Sequence, residues 1–225
     1  MIFSTEYLLL MAVSVVLGLA TQGYINSTFR KWSKVPVDSG LSGAQVARRV
    51  LDADGLTGVE IVQVGGNLSD HYDPRSKRLA LSDSVFGQPS VAAAGVAAHE
   101  AGHAIQDAKR YFWGGVRTAL VPVVNFGSSA AGVLILMGLF IGITGLVWLG
   151  VLAYASAVLF QLVTLPVEID ASRRALARLE LSGVMGPMQL AGARQVLFAA
   201  ALTYVAAALV SIMNLVYYMG LARRD

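Results

Sequence analysis

The sequence predicts a mainly α-helical membrane protein, with four transmembrane helices and a small α+β domain between the first and second. Three observations carry this. Of 225 residues, 56% are hydrophobic and 14% are charged, whereas soluble domains average about 45–50% and about 25%. Three runs, 7–29, 118–167 and 195–222, contain no Asp, Glu, Lys or Arg. A spanning helix needs about 20 predominantly apolar residues. The first and third runs hold one span each, and the middle run is long enough for two.

The first span covers 1–23. No positive side chain precedes it, no small-residue cleavage site follows it, and Arg30, Lys31 and Lys34 stand just beyond. This predicts an uncleaved anchor with its N-terminus outside, not a signal peptide. Residues 24–117 form the polar α+β region. LSGAQVARRVLDADGL (41–56) reads as a helix capped by Ser42, with Val46, Val50 and Leu51 on one face and Gly55 at its end. GVEIVQVGG (58–66) reads as a short strand. Asp73-Pro74 marks a turn, and KRLALS (77–82) is a second strand. Pro89 and Ser90 open a long helix, about 90–110, whose first half is almost all small residues. A unit this size leans on the membrane helices for part of its core.

Residues 118–167 read as a transmembrane hairpin turning at Gly142 to Gly145. Residues 168–194 continue the third span as helix until LSGVMGP breaks it. The fourth helix starts around Met188, and 195–225 form the last span and a short tail. The segment 23–117 carries eleven Lys or Arg, 168–194 carries Arg173, Arg174, Arg178 and Arg194, and the hairpin turn carries none. The positive-inside rule therefore puts both polar regions in the cytoplasm, although the C-terminal LARRD points the other way. There is no cysteine, so any metal must be held by His and carboxylates. The net charge of +3 is dispersed among acids, which gives no nucleic-acid signal.

The chemistry lies in AGVAAHEAGHAIQ (94–106). HEAGH is an H-E-x-x-H sequence: on a helix His99 and His103 fall on one face, one turn apart, where two imidazoles can grip one ion. Glu100 lies to the side, within reach of a water on that ion. Zinc suits such ligands, and a catalytic zinc keeps one position open. The bland reading is two histidines satisfied in a core. It leaves Glu100 buried and unpaired in a helix of small apolar residues, which is costly. A third ligand is required. Glu168, the first charge after 50 uncharged residues, returns to the same membrane face as His99. Asp170 and the upstream His71 compete for the position. Asp170 is better suited to accept a hydrogen bond from a ligating histidine ring.

DHYDPRSKRLALS (70–82), GVAAHEAGHAIQ (95–106) and LPVEIDASRRAL (165–176) together resemble the YugP-like neutral zinc metallopeptidases of bacterial membranes. The resemblance spans nearly the whole chain. It implies one Zn2+ per chain on His99, His103 and Glu168, Glu100 as general base, and a multi-pass protein of the bacterial inner membrane. More distantly the layout is similar to HtpX-type membrane gluzincins, which implies a gluzincin-like zinc peptidase domain. There an Asp follows the ligand Glu by four residues. Here that position is Ser172, and Asp170 comes two after Glu168. By the same analogy the substrate would add as a strand to a sheet edge formed by Arg78, Leu79, Ala80, Leu81 and Ser82. His71, Tyr72, Arg173 and Arg174 are candidate oxyanion stabilisers.

The expected function is zinc-dependent cleavage of peptide bonds in protein or peptide substrates, membrane proteins among them, beside the lipid bilayer. Two readings compete. An intramembrane-cleaving protease would need the histidines inside a span, and the apolar stretch before His99 is too short. A non-catalytic zinc scaffold would not need Glu100. The small residues Gly127 to Gly132 are suited to close helix packing, including packing between copies of the chain.

Overall fold

The computed structural model describes residues 4–224. Met1 to Phe3 and Asp225, the outer ends of the first and last predicted segments, lie outside the described residues. The elements are α1 (Thr5–Trp32), α2 (Gly43–Ala53), β1 (Glu60–Val64), β2 (His71–Asp73), β3 (Arg78–Ser82), α3 (Val91–Ala108), α4 (Phe112–Ile141), α5 (Thr144–Ser182) and α6 (Pro187–Arg224).

Helices α1, α4, α5 and α6 are long and apolar enough to cross a membrane. Their outward side chains agree: Leu19, Phe126, Phe140 and Leu152 are 69%, 79%, 80% and 70% exposed, a surface that water would not tolerate over so many turns. One compact unit gathers the described residues of 4–21, 115–166 and 202–224. Within it, α4 and α5 join through Gly142 and Ile143 alone, and Gly142 takes a positive φ of 73°. The hairpin is tight because small residues meet across it. A methyl group at Gly127 would lie 2.5 Å from Ser156 Oγ, and one at Gly150 would lie 2.9 Å from the Ile135 backbone nitrogen. Gly127 and the buried Ala131 therefore serve packing within the chain.

The second unit comprises 22–114 and 167–201. It is wider than the polar region 24–117 because the charged half of α5 and the start of α6 belong to it. Ser42 caps α2 in a reciprocal box with Gln45. Val46, Ala47, Val50 and Leu51 of α2 enter a core with Leu79 and Leu81 of β3, Ile105 of α3, and Leu179 of α5. Ser90 caps α3 by accepting from the Ala93 N–H. The alanines at the start of α3 are fully buried, and Gly95 lies against Ala193 of α6, 3.4 Å from where a methyl group would sit. α5 ends where Gly183 turns left-handed, with φ 62°, and Pro187 opens α6.

The sheet corrects one expectation. Its order is β1-β3-β2, with β1 parallel and β2 antiparallel to β3. His71-Tyr72, outside both strands read from the sequence, starts strand β2 and pairs with Ala80 and Leu79. Arg78, Leu79, Ala80, Leu81 and Ser82 are thus the central strand, not an edge. β1 pairs with all five residues and β2 with Arg78, Leu79 and Ala80 on the other side, and Leu79 to Ser82 are buried. β3 therefore does not offer the free edge that the analogy requires.

Candidate metal centre

Helices α3 and α5 build the centre. His99 and His103 stand one turn apart on α3 with ring centroids 4.7 Å apart and planes at 83°. Glu168 of α5 points between them: its Oε2 is 3.2 Å from His99 Nε2 and 3.5 Å from His103 Nε2. All three ligand atoms lie within 4.8 Å of one another. Ligands on a tetrahedral zinc with bonds of about 2.0–2.1 Å are separated by roughly 3.3 Å, so the donor set fits that ion. Its chemistry, two imidazoles and one carboxylate, fits as well.

Glycine makes the meeting possible. Gly102, inside HEAGH, faces the Ala171 carbonyl oxygen of α5, and a methyl group there would lie 2.5 Å from it. The helices touch backbone to backbone, three residues past Glu168, which brings that carboxylate within reach of the rings. Glu168 is 3% exposed. In the metal-free protein, burial pushes the His103 imidazolium down in pKa. The hydrogen bond that the ring donates to Glu168, the Glu100 charge and the Glu168 charge outweigh it and hold the pKa above its usual value. A site that favours a proton on a buried ring is one with unspent negative charge, which a cation can take up.

Glu100 is 8% exposed, and its carboxylate accepts no hydrogen bond among the described residues. Its charge acts on the neighbouring His103 ring. Asp170 does not touch a histidine. It accepts from Gln106 Nε2 at 2.8 Å and from Arg174 Nε, and Gln106 Oε1 is 3.0 Å from His103 Nδ1. The expected contact from ring to Asp170 thus runs through an amide. Ser172 Oγ is 3.1 Å from His99 Nδ1. From sequence Gln106 is not singled out, and Ser172 stands only as the residue four past Glu168 where the distant resemblance has an Asp, with no role toward His99. The available signal was spacing: Gln106 is three residues past His103 and Ser172 four past Glu168, each on the face of its ligand.

The candidate oxyanion donors are not brought to the cluster. Tyr72 donates its hydroxyl to Asp107 at 2.8 Å. Burial, followed by that hydrogen bond, pushes its pKa well up. Lys77 pairs with the same Asp107 oxygen. Tyr72 therefore ties the edge strand to the last turn of α3. Arg174 is engaged with Asp170 and lies over the Tyr111 ring. Arg173 is exposed. His71 is exposed and donates Nδ1–H to the Ser69 carbonyl, so its Nε2 becomes a donor only on protonation.

The helices, the sheet and the His-His-Glu centre define a class, and comparison with known proteins agrees. The chain belongs to the family described as "Putative neutral zinc metallopeptidase", whose model matches residues 7–223. It is 42% identical over 213 residues, 95% of each chain, to the "Putative membrane protease YugP" of Bacillus subtilis (strain 168). No solved structure matches.

Proposed function

We propose that the protein is a zinc-dependent endopeptidase embedded in the bacterial inner membrane, with its centre at the cytoplasmic interface and one Zn2+ per chain. The observation that carries this is the convergence of His99, His103 and Glu168 beside a buried, undonated Glu100. When bound, the ion supplies Lewis acidity to the scissile carbonyl and to the attacking water. Glu100 takes the proton from that water and passes it to the leaving amine. His99 and His103 offer neutral rings, and Glu168 offsets part of the ion's charge. An extended protein or peptide substrate would pair with β2, the sheet edge packed on α3, in the manner of strand addition. The interfacial placement follows from sequence, since Glu168 ends a run of 50 uncharged residues. That run precedes it in the same chain, and α3 is not among the four helices fit to span.

Glu100→Gln tests the reading. Zinc per chain, measured by elemental mass spectrometry on detergent-purified protein, should stay at about one. Cleavage of a quenched peptide library should fall by a factor on the order of 10²–10⁴. Unchanged cleavage with zinc retained would overturn the mechanism.

A further inference from the structure

The two histidines are oriented by different devices, and the difference assigns a role to Gln106. This buried side chain is 3% exposed. Its Nε2 sits 2.8 Å from the Val167 carbonyl oxygen and 2.8 Å from Asp170 Oδ2. A backbone carbonyl and a carboxylate both only accept, so both amide hydrogens must point at them. The amide has one orientation, with Oε1 toward His103 Nδ1. An amide oxygen cannot donate. His103 must then carry its proton on Nδ1 and leave Nε2 bare toward Glu168.

His99 has no such constraint. Its Nδ1 faces the Ser172 hydroxyl, which donates or accepts as needed. Its tautomer follows whatever occupies the centre.

We infer that Gln106 is a positioning residue that presets His103 for metal binding and, through Val167, fixes the neighbouring Glu168 at ligand distance. Val167 is the residue just before Glu168, so one side chain holds a ligand on α3 and the backbone beside a ligand on α5. Asp170, itself paired with Arg174, keeps the amide from turning over. This inference rests on the zinc reading above, but its first readout does not require metal.

That readout is the nitrogen-15 NMR spectrum of the metal-free protein labelled at histidine, taken above the titration of His103. Wild type should show His103 with the proton on Nδ1. Gln106→Met, close in size and without an acceptor for Nδ1–H, should lose that signature. Gln106→Glu, which keeps an acceptor oxygen at the same place, should retain it. A purely structural role would lower the melting temperature of Gln106→Met and leave the tautomer as it was. The second readout is zinc affinity by chelator competition, which should weaken about 10–100-fold in Gln106→Met. A wild-type tautomer in Gln106→Met, or His103 protonated on Nε2 in wild type, would overturn the inference. So would wild-type zinc affinity in Gln106→Met. If wild type binds no zinc, the peptidase reading fails while the tautomer experiment still decides the role of Gln106.

Discussion

The centre has two flanks built in opposite ways. On the α3–α5 flank the groups are held by close packing: Gly102 against Ala171, the buried Glu168 between two half-buried rings, and the buried Gln106 between two helices. On the β2 flank a three-residue strand with an exposed His71 is tied down by Tyr72 and Lys77 on Asp107. Holding an ion needs distances set to tenths of an ångström, which rigid helices supply. Receiving a chain of changing sequence needs an open edge that reads backbone and not side chains. The contrast teaches that metal binding should be sensitive to single atoms, while β2, the edge proposed above to take substrate, should absorb substitutions.

Predictions that break or sharpen this contrast run from large to small. Glu168→Ala should abolish stoichiometric zinc binding and cleavage together, read by elemental mass spectrometry and peptide assay. Full zinc in that variant would move the third ligand elsewhere and erase the distinction between flanks. Gly102→Ala should come next. Its methyl group meets backbone that cannot yield without moving α5, an overpacking cost of about 1–3 kcal/mol. Thermal unfolding and zinc affinity should both fall, and a variant that keeps both would show that the helices have slack.

Acid should act through His103. Its pKa in the metal-free protein is raised above 6.5, so the protonated ring stabilises that state below 6.5, and this contribution is lost as pH rises through the raised value. Zinc must displace the proton. The rise in melting temperature on adding zinc should therefore be full at higher pH and shrink as pH falls, with the decline setting in above 6.5. A decline that sets in only below 6.5 would mean that Glu100 and Glu168 do not bias the ring. Tyr72→Phe should have the smallest effect. Loss of one hydrogen bond should cost roughly 1 kcal/mol in stability, and cleavage should change far less than the 10²–10³-fold expected for an oxyanion donor. A loss of that larger size would give the β2 flank a catalytic part.

The sequence made the rigid flank largely legible. HEAGH is local, and the three uncharged runs give the four spans once the length of the middle run is taken into account. Glu168 stood out because nothing charged precedes it for 50 residues. The sheet was less legible. β2 is three residues long, too short for an alternating pattern to register. That β3 is central follows from pairings on both sides that no local signal encodes. The roles of Gln106 and Ser172 were hidden for a related reason. Apart from the contact of Gln106 with His103, three residues back, their partners lie 61 to 73 residues away in sequence, and a lone Gln or Ser on a helix looks like an ordinary solvated residue until the second helix is placed.

The make-up of the metal-bearing unit bears on how the protein can be handled. It is assembled from two stretches, 22–114 and 167–201, and the three candidate ligands are divided between them. Cutting out the polar region alone would retain HEAGH and discard Glu168, along with the α5 backbone that Gly102 packs against. A water-soluble miniature would have to splice Gly114 to Val167 by an artificial linker, so that the hairpin is bypassed but not replaced by a chain end. Without that splice, the natural hairpin is the only covalent path by which one gene product delivers both halves of the centre.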